Sequence, residues 1–478
     1  MNIRWICLAA MAATSAAAQP QISSAAAPAA NQPAAPAERQ SRQPDGGAVV
    51  ANRGPLPLSL KRAVAIALSR EGNTAILLAG ESLAQARDRS AEARAALLPD
   101  LESAFNTQSR TEDLAAQGFS SKLFASIPIP GFAFPTFVGP FTTLDARVSA
   151  TQSVFDFSSI RRFQASKAGT EAARSDLDST GEQVAAQVAK AYLAGIKADA
   201  DLESAEANVA LSEALLTQAD NEKKAGTGTG IEITRANVQL ANDRQRLLEA
   251  RNARRAAYLR LLRAMNVRLD APLQLTDKLQ YLPVDPVTLD QARAAALKQR
   301  PDYQAQRDRE ENARLSASAT KMERLPSVSA FGDYGASGTA FDNSMPTRTV
   351  GISVRVPLFD GGRRDARRAE SASQLRAEQA RSNDLKEQIE LDVRLALDEL
   401  ASADDEVKVA REGLDLSENE LAQARRRYAA GVTNSIEVTD AQTRLERARD
   451  NQTAALYNYN LARIALAQSM GRVRSLVQ

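Results

Sequence analysis

The chain has 478 residues, 60 basic against 58 acidic, for a formal net charge of +2. That balance makes no electrostatic case for nucleic acid. Histidine is absent and Cys7 is the one cysteine, so beyond its first segment the chain offers no thiol, disulfide or imidazole for catalysis, and no cofactor or metal is expected.

The N-terminus reads as a signal peptide over residues 1–18. Arg4 supplies a short basic region, residues 5–13 an apolar core, and Ala16, Ala17 and Ala18 a small-residue cleavage site before Gln19. Ile6 stands before Cys7 where lipid-modified signals want a small residue. Residues 19–57 are mostly Ala, Pro, Gln and Ser and read as a disordered tether. No later apolar stretch approaches ~18 residues, so any membrane entry would be as β-strands.

Ser59 then caps a helical pattern that runs to Leu98 and stops at Pro99. A second such pattern runs over 289–325 and stops at Pro326. After each Leu-Pro the apolar period changes from helix to strand. Leu101, Ser103 and Phe105 lead outward in the first unit, and Val328, Ala330 and Gly332 in the second. The returning segments are 144–157 and 349–362. In the latter Val350, Ile352, Val354 and Val356 alternate with Gly351, Ser353 and Arg355, giving one apolar and one polar face. Each unit thus carries two strands. The loop between the first pair, about 110–143, is long and rich in Phe and Pro, especially over 123–141. Such a loop fits an enzyme lid or a disordered insert, and the preferred expectation is an exposed loop at a membrane interface, where aromatics concentrate. The second loop, about 337–348, is short.

Past Phe155-Asp156 and Phe359-Asp360 the helical period returns. Residues 159–225 would span roughly 100 Å at ~1.5 Å per residue. Val188, Leu202, Val209 and Leu216 share a seven-residue frame, repeated by Val393, Leu400, Val407, Leu414 and Leu421. Leu240, Leu247 and Leu261 continue it on the first descending limb, and Leu445, Tyr459 and Leu466 on the second. Such frames predict coiled-coil neighbours. Each limb pair is joined by a glycine-bearing break, and the two breaks align: Gly226 with Gly431, Ile231 with Ile436, Glu232 with Glu437, at a constant offset of 205 positions. A repeat of this length makes each half one structural unit. The domains are therefore a first repeat at 58–265, a crossover at 266–288, a second repeat at 289–471 and a tail at 472–478.

Four strands per chain are too few to close a membrane barrel, which starts at ~8 strands. Either several chains pool their strands or the sheet is soluble. Leu98-Pro99, Gln152-Ser153-Val154-Phe155-Asp156, Pro357-Leu358-Phe359-Asp360-Gly361-Gly362, and Arg427-Tyr428-Ala429-Ala430-Gly431 followed by Ile436-Glu437-Val438-Thr439-Asp440-Ala441 carry a resemblance to the TolC-like outer-membrane efflux proteins. It covers about 58–471. The resemblance implies a mainly α fold in which long coiled-coil hairpins form an α-barrel and four strands per chain build a twelve-stranded β-barrel in a homotrimer. It also implies a passive outer-membrane channel extending into the periplasm, with a periplasmic adaptor protein, an inner-membrane transporter and outer-membrane lipid as partners. A pore-free periplasmic coiled-coil scaffold is the alternative. A hydrolase built on carboxylates alone is a weaker rival, because no two acids gather around a predicted pocket.

At the breaks, Glu437 and Asp440 lie three apart and share a helix face. The resemblance places them in the pore constriction, as a ring that favours cations. Helix capping by Asn434 or Ser435, with early acids offsetting the helix dipole, explains the same residues without a pore. The resemblance also makes Tyr428 and Glu232 a tip gate, although Thr433 stands where the family's prototype has arginine. Gly226 and Gly431 are expected at the hairpin turns, since glycine reaches positive φ freely. By the same resemblance, residues 225–231 and 430–436 around them would contact the adaptor.

Overall fold

The computed structural model describes residues 56–69, 72–118 and 136–477. The signal peptide, nearly all of the tether, and residues 119–135 of the aromatic loop lie outside them. Strand β1 (Leu56–Leu58) precedes helices α1 (Leu60–Leu68) and α2 (Thr74–Ala95). Strands β2 (Asp100–Asp113) and β3 (Phe137–Phe155) lead into α3 (Phe157–Lys224) and α4 (Gly230–Ala264). The second half repeats this order after β4 (Leu273–Leu275), with α5 (Leu289–Gln299), α6 (Pro301–Met322), β5 (Ser327–Gly338), β6 (Met345–Arg355), α7 (Arg363–Ala429) and α8 (Ser435–Ser469). A short α9 (Val473–Val477) follows.

The local causes are visible in the caps. Asp156 accepts the Ser158 amide at 2.9 Å and the Ser159 hydroxyl at 2.6 Å, which starts α3. Asp360 accepts the Arg364 amide at 3.1 Å at the start of α7. The two Phe-Asp marks are thus helix starts. The opening helix of each unit is broken where the sequence pattern ran on. Asn73 accepts the Ala75 amide and starts α2 afresh. Arg300 is held extended (φ −64°, ψ 117°) before Pro301, the first residue of α6.

Strands β2, β3, β5 and β6 form one antiparallel sheet in that order. Its register gathers Leu101, Phe105, Val148, Ala150, Ala330, Val350, Ile352 and Val354 on one face. That face is bare: Val350 is 84%, Ile352 74% and Val354 61% exposed. The opposite face is polar. There Arg147 bridges Asp145 at 2.6 Å and Asp333 at 3.1 Å. Phe331 lies on that polar face opposite Gly351, using the room left by the missing side chain. The first strand pair runs further than the sequence pattern indicated, with Arg110 opposite Phe141 and Glu112 opposite Val138 around a bulge. Alternation fades there because polar residues continue the ladder.

Below the sheet the strand order is kept by helices. Contacts run α2–α3–α6–α7 near the sheet and α4–α3–α8–α7 toward the hairpin tips. Helix α3 passes through both layers, so its buried stripe is broad. Val188, Val393, Val407, Leu421, Leu445 and Leu466 are buried as the heptads require. Leu202, Val209 and Leu216 are only half-buried. Asn208 and Ser212 are buried there instead, because two neighbours flank α3.

Between the layers, β1 pairs parallel with β4 (Leu56 opposite Leu273), so the last two tether residues, Leu56 and Pro57, belong to a strand. The crossover straps α8 as well: the Tyr459 hydroxyl donates to the Leu282 carbonyl at 2.8 Å. The tail is packed, with Val473 fully buried and its amide donating to Glu182 at 2.8 Å. Among the described residues no helix is long and apolar enough to cross a membrane.

Candidate functional site: the hairpin tips

Both turns close in the same way. At the first, Gly226 has φ +76° and the Thr227 amide donates to the Glu222 carbonyl at 3.0 Å. At the second, Gly431 has φ +70° and the Val432 amide donates to the Arg427 carbonyl at 3.0 Å. These are helix ends closed by a left-handed residue, a conformation that costs any side chain ~1–2 kcal/mol. Asn434 starts α8 by accepting the Ile436 amide at 3.1 Å, and the Thr229 amide donates to Glu232 at 2.9 Å at the start of α4.

Tyr428 and Glu232 line one small cleft of about 30 Å³, with Ser212, Gln239 and Gln442 among its other walls. The Tyr428 hydroxyl donates to Glu222 on α3 at 2.5 Å, while Glu232 serves its own helix start. Burial, then the Glu222 carboxylate, pushes the Tyr428 hydroxyl above its ordinary pKa, with Glu232 adding to the shift. Sequence reasoning missed Glu222, because nothing along the chain distinguishes it from other charges of α3.

Glu437 is half-buried and held at both oxygens. Arg427 sits 3.0 Å from Oε1, and the Thr433 hydroxyl donates to Oε2. Asp440 is exposed and, among the described residues, makes no ion pair. The two acids therefore share a face but not an environment.

About two to four turns above the tips lies a second polar group absent from the sequence reading. Ser212 donates to Asp243, and Gln442 donates to Ser212 at 3.1 Å. Arg246 reaches Glu446 at 2.5 Å. Asp243 and Glu446 are 1% and 4% exposed, so two buried carboxylates of different hairpins meet around one arginine. Burial first, then Asp243, holds the Glu446 carboxyl above the usual range, with Arg246 opposing.

Among the described residues no group of acidic side chains is placed to hold a metal. The family model for outer membrane efflux proteins matches residues 65–267 and 292–472. An alkaline protease secretion protein of Pseudomonas aeruginosa, AprF, is 24% identical over 65% of this chain and 66% of its own length. The pyoverdine export outer membrane protein OpmQ of Pseudomonas putida is 23% identical over 85% of this chain and 84% of its own. Among solved structures, the Vibrio cholerae outer membrane protein VceC superposes with a TM-score of 0.72 at 16% identity, covering 86% of this chain and 96% of its own. With both halves matched and the same fold shared, the chain belongs to the outer membrane efflux protein family.

Proposed function

We propose that this chain is the outer-membrane channel of a tripartite export system, a passive duct carrying substrates from a pump–adaptor complex across periplasm and outer membrane. The observation that carries the reading is the sheet: apolar on one face, polar on the other, and open along β2 and β6. Lipid tolerates no unpaired edge, so the sheet closes only with further copies. Three copies of the four-stranded sheet give a twelve-stranded barrel, within the size range of outer-membrane barrels.

The outer helices favour the same closure. On α4, Ile231, Val238 and Leu259 are exposed, and on α7, Leu395, Val409 and Leu416. Both sets keep a seven-residue frame, as unpaired coiled-coil seams do. A homotrimer buries them against each other and continues the polar wall downward. A periplasmic scaffold without a pore would instead leave the apolar sheet face in water.

In this reading the duct does no chemistry, and an inner-membrane transporter supplies the energy. Glu437 and Asp440 form its constriction, and Tyr428 with Glu232 lines the gate. The turns at Gly226 and Gly431 meet the adaptor. One relative is named for protease secretion and another for pyoverdine export, and both cargoes suit an inert polar wall. The mass of the detergent-extracted complex tests the assembly. Three chains, with heat-modifiable mobility, are expected; a single chain without heat modification would sink the duct. Photo-crosslinkers at 225–231 and 430–436 should capture the adaptor, and a scan without such products would remove that contact.

A further inference from the structure

We propose that Arg427 is a built-in counter-charge that neutralises Glu437 and leaves Asp440 as the acid that sets cation selectivity at the constriction. The inference rests on the duct reading above. Its basis is the unequal surroundings of the two acids. Both oxygens of Glu437 are taken by its own hairpin, Oε1 by Arg427 at 3.0 Å and Oε2 by Thr433. Asp440, one helical turn on, is exposed and, among the described residues, has no ion pair.

Arg427 is well placed for this role. Its carbonyl accepts the Val432 amide that closes the Gly431 turn, so its backbone is fixed relative to Thr433 and Glu437. The pair is open to water, with side-chain exposures of 56% and 36%. Exposed pairs add little stability, so folding gives no strong reason for it. Its field does matter. Opposite charges at contact distance act as a dipole, whose field falls off faster than that of a lone charge and is screened by salt beyond ~8 Å. A permeating cation therefore meets a nearly neutral ring at Glu437 and a full charge at Asp440. Hard polyvalent cations bind through several free oxygens, and Arg427 on Oε1 with Thr433 on Oε2 keeps those of Glu437 from use.

The test uses the purified full chain in planar bilayers. Reversal potential in a KCl gradient and block by lanthanum are read for wild type, R427Q, E437Q, D440N and R427Q/E437Q. R427Q is expected to strengthen cation preference and lower the half-blocking lanthanum concentration about three- to tenfold. D440N should remove most of the block and E437Q little of it. The double variant should return toward wild type. Currents that R427Q leaves unchanged, or an E437Q effect equal to that of D440N, would overturn the counter-charge while sparing the duct. No current from any variant, nor from Tyr428→Phe with its tie to Glu222 removed, would remove the duct and this role together.

Discussion

The Tyr428 hydroxyl donates to Glu222 at 2.5 Å, joining the end of α7 to the end of α3 just above the two turns. It is a polar tie between the hairpins beside the cleft. A hydrogen bond to a charged group contributes ~1.5–3 kcal/mol, enough to shift a tip that opens by a few kcal/mol. Tyr428→Phe should raise single-channel conductance or open probability. Glu222→Gln should do the same, and the double change should add little. An unchanged conductance for Tyr428→Phe would leave the ring a packing role only.

Glu446 gives the seam between hairpins a pH dependence. Its carboxyl is raised by burial and then by Asp243. The stability linked to its protonated form is fully present below the unfolded carboxylate value of ~4.3. That stability is lost as pH rises through the raised folded value. Acid therefore firms the seam and neutral pH loosens it. Glu446→Gln should raise the thermal midpoint at neutral pH and flatten its decline with pH. Part of the slope should remain, because Asp450 is also raised, by burial and then by Asp201. A variant with the wild-type slope would contradict this.

The sheet predicts opposite outcomes at neighbouring positions. Val350 lies on the apolar face and Thr349 on the polar one, opposite Asp333. Val350→Lys puts a charge in lipid and should cost up to ~2–4 kcal/mol if it sits near the bilayer midplane. Thr349→Lys should cost far less. Urea titration of protein folded into vesicles measures both. Equal costs would mean that the apolar face does not meet lipid.

The barrel-facing alternation and the second hairpin's core were legible because each is a repeat within one element: 350–354 for the strand, and Val393, Val407 and Leu421 for the helix. The turns were legible because Gly226 and Gly431 recur in register. What stayed hidden depends on contacts far along the chain. Three-residue strands such as β1 and β4 carry no period. Asp243 and Glu446 look like surface charges until α3, α4 and α8 converge on them. Glu222 is separated by 206 positions from Tyr428, and Arg427 looked like part of a motif until its side chain was seen on Glu437.

Gly431 has φ +70° with open space around an added Cβ. Its replacement by alanine should therefore cost only the backbone term, ~1–2 kcal/mol. Amide hydrogen exchange at 427–436 should quicken about five- to thirtyfold while the upper helices keep their protection. Unchanged exchange would show that the turn does not need the left-handed residue.

The central claim is a water-filled path narrowed by acids at the tips. Planar-bilayer recording of the purified protein, with and without Glu437→Gln/Asp440→Asn, tests it most directly. A cation-selective current is expected, with selectivity and polyvalent-cation block both weakened by the double change. Selectivity and block left untouched by the change would contradict the acidic constriction. No current from the wild type and from Tyr428→Phe alike would contradict the duct itself.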